Sequence, residues 1–345
     1  MHRILIKTLL IFLALNLLLA TSEPLPALGR ISLYNGLFPG RERFPFGENP
    51  QQAYNFSLYS LEAMFASHEL TGSEKATDDY RLILLGDSSV WGTLLQPDKT
   101  LAGQINALNL RTCDGKTVRA YNLGYPTLSV TKDLMILDEA RQYEPDAVWW
   151  LVTLEAFPDE KQLASPLAAN NPARLEALAE STSMVDPADP AIIHPDFWGR
   201  TILGLRRPLA DWLRLQLYGV MWAATGIDQF YPVEYPAAAN DLEADESFQG
   251  RLPPTLDETS LALDVLDAGV KLLGDVPLTV INEPILISDG QNSNLRYNFF
   301  YPRWAYDQYR ALLAEQVATA GWTLVDRWDL LPRTEFTNSA IHLTP

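Results

Sequence analysis

The chain has 345 residues, 47% of them hydrophobic and 20% charged, which supplies a full apolar core and excludes a disordered chain. With 26 Lys and Arg against 43 Asp and Glu, the formal charge of −17 excludes a nucleic-acid partner, since the densest basic cluster is only Arg206, Arg207 and Arg214. One cysteine, Cys113, and four histidines exclude an intramolecular disulfide framework and a multi-cysteine metal site, and no metal or cofactor is expected.

In chain order, His2, Arg3 and Lys7 precede the apolar run Leu9 to Ala20, a basic n-region and an h-region of secretory type. Residues 1–22 therefore read as a signal peptide or an N-terminal membrane anchor, and the protein as extracytoplasmic, anchored or secreted. Ala20 and Ser22 provide small residues at −3 and −1 of a cut after Ser22, whereas Asn16 and the lack of a polar c-region suit an uncleaved anchor. Residues 23–79 form a leader. Pro24, Pro26, Gly29, Gly36, Pro39, Gly40, Pro45 and Gly47 predict an extended or looped course, followed by a packing helix with Leu61, Met64 and Phe65 at helical spacing. Asn55-Phe56-Ser57 matches a glycosylation sequon that is common by chance.

From residue 80 onward strand and helix patterns alternate. Strands are predicted at Arg81–Leu85, Val118–Leu123, Ala147–Val152, Leu278–Ile281 and Trp322–Val325. Helices are predicted around Leu101–Leu108, Val130–Tyr143, Leu261–Leu273 and Trp304–Ala320. Five such units predict a three-layer α/β/α sandwich with a mostly parallel sheet. The alternation breaks at about 158–256, an insertion rich in Ala and Pro, in which Leu209, Trp212, Leu213, Leu217, Val220 and Met221 share one helix face. That face is expected either to pack on the core or to serve as a lid or membrane contact.

In an open α/β sheet, ligands bind beyond the carboxyl ends of the strands, which directs attention to polar residues placed there. After the first strand come Gly86-Asp87-Ser88-Ser89, a tight turn delivering an acid and a hydroxyl to a helix start, where free N–H groups face a developing oxyanion. After the second comes Gly124, a candidate backbone donor or a simple turn residue, and after the third Thr153-Leu154-Glu155, facing the same cleft or capping the insertion. A nucleophilic serine needs a base, usually histidine. His2 lies in the export segment, His68 precedes the sheet at a helix end and His194 sits in the insertion, so His342, in the loop after the last strand, is the candidate.

Gly86-Asp87-Ser88, Asn122-Leu123-Gly124 and Ile341-His342-Leu343-Thr344-Pro345 together resemble the blocks of the SGNH, or GDSL, hydrolases, in order and spacing over residues 80–345 apart from the insertion. The resemblance implies a flavodoxin-like fold, Ser88 as nucleophile, His342 as base and then acid, and the N–H groups of Ser88 and Gly124 as oxyanion donors. Two departures stand out. The family's third block ends in Gly-x-Asn-Asp, whose place is held here by Thr153-Leu154-Glu155, so Glu155 must be protonated, turned away or serving another purpose. The family's Asp three residues before the His is replaced by Ser339, preceded by Asn338; either can hold the imidazole tautomer, or Glu335 or Asp326 approach from elsewhere. A helix commonly follows this His in the family, whereas the sequence ends three residues after His342.

The function implied is that of an exported serine esterase or O-acyltransferase acting on ester acyl groups, such as those of a cell-envelope polysaccharide, with Asp87, Gly124 and Glu155 lining the substrate site. The alternative is a catalytically silent domain of the same fold that binds a glycan or a partner. The expected substrate is a neutral small-molecule or glycan ester, given the acidic charge, with membrane contact through the N-terminal segment.

Overall fold

The computed structural model describes residues 1–38, 56–72, 74–179, 186 and 188–345. Asn55 of the sequon and the leader residues Pro39, Gly40, Pro45 and Gly47 lie outside them. Five parallel strands, β1 (Asp79–Gly86), β2 (Thr117–Gly124), β3 (Ala147–Val152), β4 (Leu278–Asn282) and β5 (Thr323–Asp326), form one sheet in the order β2-β1-β3-β4-β5. This is a doubly wound order, with the crossover between β1 and β3 opening a cleft at the strands' carboxyl ends. Helix α1 (His2–Thr21) forms the N-terminal segment, and α2 (Ser88–Trp91) directly follows β1. Helices α3 (Leu101–Ala107), α4 (Val130–Ala140), α6 (Asp264–Leu273) and α7 (Arg303–Ala320) flank the sheet, and α5 (Arg206–Thr225) belongs to the insertion.

Side-chain alternation along the central strands explains why Leu82–Leu85 and Ala147–Val152 are apolar without interruption. Ile83, Leu85, Val148, Trp150 and Val152 enter one core layer with α4, α6 and α7, whereas Leu82, Leu84, Trp149 and Leu151 enter a second layer with Ala102 and Ile105 of α3. Helices therefore cover both faces, as the three-layer expectation requires. Thr100 and Ser129 start α3 and α4 by accepting from Gly103 N–H at 3.2 Å and Lys132 N–H at 3.1 Å.

The insertion leaves and rejoins the sandwich at one place, where Ala262 N–H donates to Phe157 O at 2.9 Å and Pro158 bridges Leu261. Its described residues contain short helices and α5 but no strand. The described part of the leader is more ordered than its Pro and Gly content predicts. Pro24–Gly29 and Leu33–Leu37 are helical, and Pro24 sits in the first turn, where a missing N–H costs nothing. These turns dock on α5: Trp212 Nε1 donates to Leu28 O at 3.1 Å, and Leu33 N–H to Gln216 Oε1 at 2.9 Å. At the extreme N-terminus, α1 is long and apolar enough to cross a membrane, which suits a signal peptide or an anchor.

Candidate active site

The site is built on the paired ends of β1 and β2, where Gly86 stands in register with Gly124. A Cβ at Gly124 would meet the backbone N of Trp91 at 2.3 Å, and one at Gly86 would meet Val90 Cγ2 at 2.7 Å and Leu151 O at 2.9 Å. Only glycine at both positions lets α2 lie directly over the strand ends. Asp87 caps α2 by accepting from Ser89 N–H at 2.8 Å, and Asn122 holds its far end, donating to Trp91 O at 3.4 Å. Beneath the turn, the fully buried Lys132 ammonium donates to Gly86 O and Tyr125 O, each at 3.0 Å, and pairs with Asp133 Oδ1 at 2.5 Å.

On this platform Ser88 Oγ donates to His342 Nε2 at 2.7 Å, and both side chains are half-buried and reachable from solvent. The His342 loop is pinned to the sandwich. Thr337 N–H donates to His342 O at 2.9 Å, Leu286 N–H donates to Ala340 O at 2.8 Å, and Phe336 bridges Leu343. Desolvation pushes the His342 pKa below its ordinary value, and the Asp87 carboxylate pulls in the opposite direction. The ring is consequently neutral near pH 7 and able to accept the serine proton. Ser88 N–H, at the first residue of α2, meets no acceptor among the described residues.

A second acidic residue, one the sequence pattern does not single out, belongs to this centre. Glu283 follows β4, is buried, and accepts a hydrogen bond from Ser89 Oγ on one carboxyl oxygen, while Oε1 has no partner among the described residues. Desolvation, then the Asp87 charge, raise its pKa well above the carboxylate range. Asp87 is raised by desolvation too, but Ser89 N–H and Lys132 work against that rise. Asp133, facing Lys132 and Trp150 Nε1, is raised to about 6, again by desolvation first. Of these three buried carboxyl groups, Asp133 pairs with the Lys132 ammonium and Asp87 feels both that cation and the Ser89 N–H, whereas Glu283 has neither and is the one pushed well above its ordinary value. Asp87 is then the anion available to a His342 imidazolium. A signal for Glu283 does exist: Asn282-Glu283 are polar residues directly after a buried strand, the same criterion that selects Ser88.

Three expected roles change. Gly124 N–H donates to Asn122 Oδ1 at 2.9 Å, so it is occupied and not free as an oxyanion donor; the glycine is required by the close approach of α2 instead. Asn338 is exposed and makes no bond to the imidazole, because the bridge between Phe336 and Leu343 turns it outward; Ser339 Oγ instead accepts from Ile341 N–H at 3.4 Å. Glu155 is turned away, its Oε1 paired with Lys161 Nζ at 3.1 Å and bonded to Gln249 Nε2, and no contact joins it to Ser88 or His342 among the described residues. Neither alternative acid reaches the ring: Asp326 is bound to Arg310 and Asn282, and Glu335 to Thr344. Thr153, at the third-block position, is fully buried with its hydroxyl 2.9 Å from Tyr301 OH, which closes that side of the cleft. A cavity of about 590 Å³ bordered by Asp138, Arg174 and Val276 lies near the opposite ends of the strands and includes none of these groups.

No protein-family model matches the chain, and no curated protein does either. Chemically, the arrangement offers a serine hydroxyl in contact with a neutral imidazole, an unengaged N–H at the nucleophile itself, and a buried anion within electrostatic reach of the imidazole.

Proposed function

We propose that the protein is an extracytoplasmic SGNH-type serine hydrolase or O-acyltransferase acting on carboxylic ester groups. The observation that carries this reading is the 2.7 Å contact between Ser88 Oγ and His342 Nε2, groups from the first strand's end and the last loop. Ser88 Oγ attacks the acyl carbonyl carbon while His342 Nε2 takes the hydroxyl proton. The oxyanion forms beside Ser88 N–H, and Asp87 stabilises the imidazolium. Collapse expels the alcohol, which takes the proton from His342 and leaves an acyl-serine. Water or a sugar hydroxyl then attacks that ester as its proton passes to His342, and collapse expels Ser88 Oγ, which takes the proton back from His342 as an acid or a new ester is released. The carboxylate of Glu155, the group that would oppose an oxyanion, is neutralised by Lys161. Polysaccharide esters of the cell envelope fit an exported enzyme with an acidic surface, and α1 fits an anchor for it.

A second reading, a silent domain of the same fold that binds a glycan, is favoured by one fact: no described carboxylate contacts His342 Nδ1. Labelling with a fluorophosphonate probe separates the two. Labelling of the folded chain that disappears in Ser88→Ala supports the enzyme. A folded wild type that is not labelled, yet retains glycan binding, overturns it.

A further inference from the structure

An asparagine inside the apolar α1 finds its partner in the insertion. Asn16 Oδ1 accepts from Ile202 N–H at 3.1 Å, Asn16 Nδ2 donates to Phe12 O at 2.8 Å, and Asn16 and Ala20 are buried against the domain. Asn16 lies five residues before the end of α1 at Thr21, hence about 7.5 Å inside it at 1.5 Å per residue. Where α1 crosses a membrane, Ile202 and its neighbours lie at that depth, the depth of helices that rest in the interface. Beside the buried Thr201 and the exposed Arg200, two apolar side chains there are uncovered: Trp198 is 71% exposed and Leu203 56%.

The same surface continues along α5. Trp212, Gln216 and Gly219 face the leader, through Leu28, Leu33 and Tyr34. On the other side Ala210, Leu213, Leu217, Met221 and Ala224 form one exposed apolar stripe, and beyond the helix Phe230 is 80% exposed. A water-facing helix side would be polar. Arg206, Arg207 and Arg214, the densest basic cluster of a chain with net charge −17, lie exposed on the same helix, where phosphate headgroups would meet them.

We infer that Trp198, Leu203 and the exposed stripe of α5 bed in the interfacial layer of the membrane that α1 crosses, so that two lipid contacts fix the domain's orientation. The inference rests on α1 being retained as an anchor. It is tested in full-length protein carrying Cys113→Ser, with single cysteines at Ile6, Trp198, Leu217 or Phe230, each labelled with an environment-sensitive fluorophore. The protein is reconstituted in phosphatidylcholine–phosphatidylglycerol vesicles, and the unsubstituted chain, labelled at its own exposed Cys113 and reconstituted in the same way, serves as the aqueous reference. Labels at 198, 217 and 230 are expected to be quenched at least two-fold by lipids with shallow spin labels and to resist iodide; Phe230→Cys keeps the test readable should Trp198→Cys not fold. Quenching at Ile6 with iodide access at the other three equal to that at Cys113 overturns the surface contact and leaves the anchor standing. Loss of lipid quenching at Ile6 as well removes the anchor and the inference together. Concentration-dependent shielding of 198 and 217 in detergent without lipid assigns the face to a second copy of the chain and overturns it.

Discussion

Ser88 Oγ and His342 Nε2 meet at 2.7 Å although 254 residues separate them in the chain. Such a contact makes the two side chains one chemical unit, because the hydroxyl is a poor nucleophile unless its proton has an acceptor. Ser88→Ala and His342→Ala should each lower kcat/KM on a short p-nitrophenyl ester by roughly 10³-fold or more, and the double variant should be little worse than either single one. Multiplying losses would show that the two act independently. Asn338→Ala, at an exposed position without contact to the ring, should stay within about two-fold of wild type, well inside the scatter of surface substitutions.

The pH dependence has a definite sign. His342 works as a base only when neutral, and desolvation holds its pKa below 6.5, so activity should fall as pH drops below that value and stay level just above it. A rate limb centred above pH 6.5 would contradict the geometry. A second buried histidine affects stability instead. His68 Nδ1 accepts from Leu70 N–H at 3.1 Å and Nε2–H donates to Asn122 O at 2.9 Å, and burial lowers its pKa to about 4. Between pH 4 and 6.5 the unfolded chain binds this proton and the folded one does not, so the contribution is full above pH 6.5 and is lost toward pH 4. Buried Asp133 and Glu283 act in the opposite direction, which makes the comparison with His68→Gln the useful measurement. Urea midpoints of wild type should fall relative to the variant by up to ~3 kcal/mol over that interval.

Desolvation and the Asp87 charge push the Glu283 pKa well above its ordinary value, so a neutral isostere should replace it. Glu283→Gln retains an acceptor for Ser89 Oγ and should differ from wild type by less than about 1 kcal/mol below pH 4.5, where both side chains are neutral, whereas Glu283→Ala leaves a cavity and should cost about 2–4 kcal/mol there. The folded pKa is raised, so wild type is steadied below the unfolded value of 4.5 and loses that contribution as pH rises toward the folded one. Glu283→Gln should accordingly gain on wild type with rising pH in chemical denaturation. Parallel curves would mean that folding does not raise the pKa of this carboxyl group.

Why Ser88 and His342 can be read from the sequence while Glu283 and Lys132 escape notice is a matter of which neighbours set each environment. The strand ending in Gly86 is apolar from Leu82 to Leu85 and its turn follows within two residues, so position alone nominates Ser88. The mostly parallel sheet covered on both faces follows equally from alternating strands and helices. Lys132 and Asp133, by contrast, fall between the apolar positions of α4 and read as solvent-facing. In the structure both reach the sheet, Lys132 to Gly86 O and Asp133 to Trp150 Nε1, and the helix is covered elsewhere by Leu61–Phe65 of the leader and Pro166–Ala169 and Pro172–Ala179 of the insertion. No periodicity in α4 announces a cover supplied by segments so distant in the chain. Gly124 shows the reverse case: the position is legible, but its N–H is taken by a side chain two residues earlier, a detail of rotamer and not of pattern.

Lys132 offers the sharpest test of how the turn beneath Ser88 is supported. Its ammonium is fully buried and satisfies Gly86 O, Tyr125 O and the Asp133 carboxylate at once. Lys132→Met keeps the length of the stem but strands Asp133 without a cation, and breaking a buried pair in this way should cost about 3–5 kcal/mol, read from urea midpoints. Because Gly86 directly precedes Asp87 and Ser88, the labelling rate of Ser88 by a fluorophosphonate should drop in protein that is still folded. Adding Asp133→Asn removes the unpaired charge while keeping an acceptor for Trp150 Nε1, which donates to Asp133 Oδ2 at 3.1 Å in the wild type. The double variant should regain more than about 1 kcal/mol over Lys132→Met, since the uncompensated charge is the larger part of the penalty. Labelling should stay slow, because the two carbonyls that hold the turn are still without their donor. Recovery of stability and labelling together would show instead that the Asp133 charge, and not the Lys132 hydrogen bonds, positions Ser88.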